Sequence, residues 1–190
     1  TCLAEQIGRL VEATHGHTLV LFTSYSLMGA VYNQVRDRLS FPLMEVWRHS
    51  QDVIHRFKQA HNAVLFAAGS CWEGVDFPGD MVSSLILVRL PFPVPDPLSE
   101  AEREQYPTLQ DYIRAVIIPD MQVKLRQGFG RAVRTETDTC VVSILDWRAA
   151  PGQRYHRAVL ETLPNLRMTR KIEEVKEFIR ARKSPDYFLT

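Results

Sequence analysis

The sequence has 190 residues, 45% of them hydrophobic and 24% charged, with a formal net charge of +1. That length suits one moderately sized domain with a real core and leaves no room for two full α/β domains, while the composition excludes a disordered or fibrous chain. A charge so near zero carries no bulk signal for nucleic acid, so any such claim has to rest on where individual basic residues stand.

Along the chain, short runs of strand formers alternate with helical patterns, the sign of parallel βαβ units. Leu3, Ile7, Leu10 and Val11 stand at helical spacing, so the sequence opens inside a helix, as a piece of a longer polypeptide would. Thr18 to Ser24 reads as a buried strand, followed by a helix from about Ser26 with Leu27, Val31, Val35 and Leu39 as its buried stripe. Phe41 to Trp47 reads as a short strand, and Asp52 to Ala60 as a short helix buried through Val53, Ile54 and Phe57. A strand from Ala63 to Ala68 runs into a glycine-rich loop, Gly69 to Asp80, before a further strand from Ser83 to Leu90.

Pro91, Pro93, Pro95, Pro97 and Pro107 make the next stretch a surface excursion, since proline neither propagates a helix nor donates within a central strand. A helical stretch from about Thr108 is predicted to break near Pro119 and resume through Gly130, so residues 91–120 form a Pro-rich and helical excursion. Thr139 to Leu145 is the last strand, and Gln153 to Lys183 contains two helices within a helical appendix over 151–190. The expected architecture is α/β, one domain over 1–190, with about five parallel strands and helices on both faces.

Cys2, Cys71 and Cys140 form no CxxC pair, so no metal ligand set is expected and a reducing, cytoplasmic setting fits. No apolar run approaches the roughly 20 residues that would cross a bilayer, and no leader pattern is present, so no membrane contact is expected.

In open parallel sheets ligands bind beyond the carboxyl ends of the strands, and three places qualify. Thr23, Ser24 and Tyr25 follow a buried strand and start a helix, where hydroxyls and free amides suit a phosphate; an ordinary N-cap is the competing reading. Gly69 to Asp80 carries Glu73 and Asp76, carboxylates able to accept from sugar hydroxyls or a cationic partner. Cys71 in that loop could be a nucleophile, but none of the six histidines pairs recognisably with it, and His15 and His17 read as solvated turn residues rather than metal ligands.

The third place is Lys124 to Asp138, KLRQGFGRAVRTETD. Helical geometry sets Leu125, Phe129 and Val133 on one stripe and Gln127, Arg131 and Arg134 on the opposite one. Gly128 and Gly130 each cost about 1 kcal/mol relative to alanine in a helix interior, which suggests close approach to the backbone. Two arginines three residues apart repel unless an anion lies between them, and the guanidinium fork matches phosphate oxygens. A solvated basic face is the competing reading.

These residues resemble a known family. QGFGRAVR, Gln127 to Arg134, looks like motif VI (QxxGRxxR) of superfamily 2 helicases, Gly69 to Gly79 resembles motif V, and LVLFTSYSLM resembles motif IV, in the family's order and spacing. The variants GSCWEGVDFPGD, LILVRLPFPVPDP and QGFGRAVRTETD, with a strand ending in LDWR, resemble the DinG/XPD branch of DNA helicases over about residues 18–148. The resemblance implies a RecA-like three-layer sandwich with a mainly parallel sheet, the second of two motor domains with ATP and Mg²⁺ in the cleft between them.

It also implies roles. Arg134 would be the arginine finger, Arg131 would reach the γ-phosphate, and Gln127 would couple nucleotide state to closure. Glu73, Gly74 and Asp76 would lie on the nucleotide side, and Thr23, Ser24, Ser70 and Trp72 towards the DNA backbone. The implied partners are single-stranded or forked DNA and the first RecA-like domain of the same polypeptide, in a monomer. None of the nine glycines is followed by the lysine of a phosphate-binding G-x-x-x-x-G-K-[ST] loop, and no DEAH-like acidic box appears, so ATP and Mg²⁺ would be held mainly by the first domain and this chain alone is expected to be inactive. The alternative is a non-catalytic nucleic-acid-binding module with the arginine helix as a phosphate clamp.

Overall fold

Apolar residues of period two build the sheet. In the computed structural model, which describes residues 2–47, 51–69, 75–133, 138–163 and 167–189, five strands run parallel. They are β1 (Thr18–Phe22), β2 (Leu43–Val46), β3 (Val64–Ala68), β4 (Ser84–Leu87) and β5 (Val141–Ile144), in the spatial order β2-β3-β1-β4-β5. Every residue of β1, β3 and β4 is buried, because a parallel sheet covered on both faces needs apolar residues on both.

Alternate residues supply two cores. Leu19, Leu21, Leu65, Ala67, Leu85 and Leu87 face one layer, joined there by Phe57, Met121, Leu125 and Val159. Those four come from α3 (Gln51–Gln59), α6 (Ile118–Ala132) and α7 (His156–Thr162). Val20, Phe22, Val64, Phe66 and Ile86 face the other layer, made by α1 (Leu3–Ala13) and α2 (Tyr25–Val35), with Ile172 at the start of a C-terminal helix, Ile172–Arg182, packed against it. The result is the RecA-like three-layer α/β sandwich. Among the described residues no helix is long and apolar enough to cross a membrane.

Three local expectations differ from the structure. Leu39 lies past the end of α2: the amides of Arg38 and Leu39 both turn back onto the Val35 carbonyl, so the chain can enter β2, although Leu39 still packs on the same layer. The helix does not stop near Pro119. Ile113–Ile117 is a π-helical turn in which the Ile118 amide donates to the Ile113 carbonyl five residues back, and this wider turn admits a proline that lacks an N–H and would crowd a regular helix. Finally, α6 buries Leu125 as expected, but with Met121, Gly128 and Ala132 in place of Phe129 and Val133. The helix ends at Ala132, and Val133 is already extended with φ −125° and ψ 107°, so it leaves the helical stripe.

The excursion after β4 holds two short helices, α4 (Pro97–Arg103) and α5 (Leu109–Tyr112). The first starts on a capping box, Asp96 accepting from the Ser99 amide at 2.7 Å while Ser99 Oγ accepts from the Asp96 amide at 2.8 Å. At the chain's end Tyr187 stacks on His17 with ring centroids 3.9 Å apart and donates to the Thr14 carbonyl at 2.7 Å. Lys183 meets Asp80 at 2.5 Å and the Thr139 carbonyl at 2.9 Å. These contacts fasten the tail beside the ends where the strands begin.

Candidate functional site

Two regions of the molecule gather the chemistry. The first lies where β1 and β3 end. Thr23 and Ser24 are exposed beyond Phe22, and Ser24 Oγ accepts from the Leu27 amide at 3.2 Å, so its hydroxyl is the N-cap of α2. That occupies one lone pair of the hydroxyl and leaves the position open towards solvent.

Beside it, Tyr25 stacks on Trp47, which follows β2, with centroids 5.4 Å apart and planes 16° from parallel. Gly69 ends β3 with φ +63°, and a Cβ there would sit 2.8 Å from the Tyr25 hydroxyl oxygen. Glycine is required on both counts. Trp47 is 44% exposed, so one edge of the strand ends presents hydroxyls next to an ordered aromatic pair. The sequence reading placed Tyr25 at this edge but gave no role to Trp47; its position directly after a strand was the available signal.

The second region is the last turn of α6. Gln127 is exposed there, whereas the Arg131 side chain is only 18% exposed. Arg131 Nη1 donates to the Val75 carbonyl at 3.2 Å and lies 3.8 Å from an Asp76 carboxylate oxygen. Its Nε is buried with no acceptor among the described residues. The two sequence motifs therefore meet in space, the end of α6 lying against Val75 and Asp76. At Gly130 a Cβ would meet nothing within 4 Å among the described residues, and no contact among them accounts for that glycine.

Asp76 and Arg131 are thus together, and Thr23 and Ser24 lie at the other region. Ser70, Cys71, Trp72, Glu73, Gly74 and Arg134 lie outside the described residues. Of the other cysteines, Cys2 is exposed, and burial pushes the Cys140 thiol up to about 12, which makes it unreactive at neutral pH.

A third cluster stands where β5 ends. Asp146 is 7% exposed and its carboxylate accepts from the Leu90 amide at 3.0 Å, from the Arg148 amide at 3.0 Å, and from Arg148 Nε and Nη2 at 3.0 and 2.7 Å. Burial alone would raise the pKa of this carboxyl, but the bonds from Arg148 and from the two amides outweigh it and hold the group below the usual carboxylate value. The sequence marked only the strand end LDWR here.

Could these residues hold a nucleotide? A guanidinium with a buried donor unused, beside a carboxylate and an exposed glutamine, suits an anionic group carrying a sugar. No lysine loop or acidic box is present in the sequence to cradle a triphosphate or Mg²⁺, so the fit is to one wall of a pocket.

The model of the helicase C-terminal domain family matches residues 7–166. The ATP-dependent DNA helicase YoaA of Haemophilus influenzae is 35% identical over 181 residues, 93% of this chain and 28% of that protein. The ATP-dependent helicase DinG of Mycobacterium tuberculosis is 33% identical over 178 residues, 92% of this chain and 27% of that protein. The chain therefore spans less than a third of the length of these relatives. A solved XPD helicase structure superposes with a TM-score of 0.67 at 22% identity, covering 87% of this chain and 30% of that one, a likeness of fold.

Proposed function

We propose, from the premise that this chain belongs to the helicase C-terminal domain family of DinG/XPD-type superfamily 2 helicases, that it is the second motor domain of an ATP-dependent DNA helicase. ATP with Mg²⁺ binds mainly to the first RecA-like domain of the same polypeptide, and this chain closes over it. Arg131 and Arg134 supply positive charge to the γ-phosphate as it is transferred, with Arg134 as the finger, while Gln127 ties nucleotide state to closure. Glu73, Gly74 and Asp76 line the nucleotide side. Thr23, Ser24, Ser70 and Trp72 follow the backbone of single-stranded or forked DNA, and the motor works as a monomer.

The observation that carries this reading is the contact of Arg131 with Val75 and Asp76. It ties the helix that bears Arg131 to the segment that begins at Val75, so the two motifs share one contact. An arginine donated across a domain interface contributes about 10³–10⁵ in rate, on the order of 4–7 kcal/mol off the barrier. The test is reconstitution. The purified 190-residue chain is expected to turn over no ATP, and the same chain joined to its phosphate-binding half to show DNA-stimulated turnover; robust hydrolysis by the chain alone refutes the assignment.

A further inference from the structure

Beyond the end of β5 lies a cleft of about 250 Å³ lined by Trp147, Arg148, Gln153, Arg154 and Tyr155. Trp147 is 71% exposed, although the turn that carries it is fixed. Asp146 caps that turn by accepting from the Arg148 amide, and the Arg148 guanidinium lies 4.7 Å over the Phe92 ring, which itself packs 4.7 Å from Tyr155. The turn that bears the indole is therefore held in place, and Arg148, Phe92, Tyr155 and Arg154 form a layer of alternating cation and ring in the same cleft. Arg154 lies 5.4 Å over Tyr155 and, among the described residues, bonds to the neutral Gln110 at 3.0 Å. It makes no ion pair among the described residues, so its charge is available to an anion.

We infer that this cleft is a nucleotide subsite for single-stranded nucleic acid, in which Trp147 stacks one base and Arg154 holds the neighbouring phosphate. An exposed indole beside an unneutralised guanidinium fits a polyanion with flat apolar rings. Its place supports the same occupant. β5 is two strands from β1 on the same sheet, so the two strand ends are about 10 Å apart along one edge, within reach of a single short strand that passes Thr23 and Ser24. The inference rests on the motor reading for that path.

The experiment uses the complete helicase polypeptide and a fluorescein-labelled fork whose duplex fixes the register of its single-stranded arm, read by anisotropy. Trp147→Ala raises the Kd about tenfold, as loss of one stacked base does, while Trp147→Phe stays within about threefold. Arg154→Ala weakens binding and lowers the salt dependence by about one counterion. Replacing arm nucleotides one at a time by abasic sites finds a penalty at one position in the wild type, and Trp147→Ala removes it.

A Trp147→Ala protein with unchanged Kd, or one that keeps the abasic penalty, overturns the subsite. If Thr23→Ala with Ser24→Ala weakens binding while Trp147→Ala does not, the subsite alone falls and the motor reading stands. If the wild-type polypeptide neither binds the fork nor is stimulated by it, both fall.

Discussion

Replacing Asp146 by asparagine keeps the shape of the side chain and removes its charge. The carboxylate accepts from the Leu90 amide and from three N–H groups of Arg148, at 2.7–3.0 Å, and the residue is 7% exposed. Hydrogen bonds to charged groups are worth about 1.5–3 kcal/mol each, but they are not additive here. Asparagine retains one acceptor for Leu90, and Arg148, 36% exposed, regains part of its hydration. The net loss is therefore about 2–4 kcal/mol, a large share of the 5–15 kcal/mol typical of a domain. For a chain of this length that is roughly 4–16 °C in melting temperature.

The pH dependence gives a second check on the same argument. Because the fold lowers the pKa of Asp146, the unfolded chain binds the proton more readily, and the stabilisation is complete above the ordinary carboxylate value, about 4. It disappears as the pH falls through the lower folded value. Urea unfolding of wild type and Asp146→Asn should thus differ fully at pH 7, and the gap should narrow once the pH falls below about 4, closing only as it passes the lower folded value. A melting change under about 2 °C at pH 7, or a gap unaltered at pH 3, refutes the reasoning.

Two further outcomes are expected. Arg131→Ala loses a partly buried bond to the Val75 carbonyl and a long ion pair to the half-exposed Asp76, together about 1–3 kcal/mol of stability, yet lowers DNA-stimulated ATPase of the complete polypeptide by about 10²-fold or more; equal small losses in both would show a structural role only. Gly69→Ala places a Cβ at φ +63° and 2.8 Å from the Tyr25 hydroxyl, costing about 1–2 kcal/mol for the backbone and tilting the Tyr25–Trp47 stack; an unchanged urea midpoint with unchanged tryptophan emission would contradict it.

Much of the fold was legible because its strands are buried on both faces. Runs such as TLVLF and VLFAA carry no polar interruption, and turn residues bound them. What failed was local and came from backbone states that periodicity does not encode. A π turn ahead of Pro119 hides the proline's usual effect, and the early end of α6 at Ala132 shifts its buried stripe onto Gly128. Gly128 looked like an opening for a ligand, and it is core. The motifs named Arg131 and Asp76 separately; their contact is between residues 55 apart in sequence, and no spacing predicts that. Asp146 was missed for a similar reason: its main-chain partner at Leu90 is 56 residues away.

The central claim is that the arginines complete a triphosphate pocket begun by another domain. It is tested most directly by Arg134→Ala in the complete polypeptide, with DNA-stimulated ATPase and DNA affinity measured on the same preparation. The account predicts that hydrolysis falls by about 10³-fold or more while the Kd for single-stranded DNA stays within about threefold. Lost DNA affinity with hydrolysis retained at saturating DNA would contradict it and leave a phosphate clamp in its place.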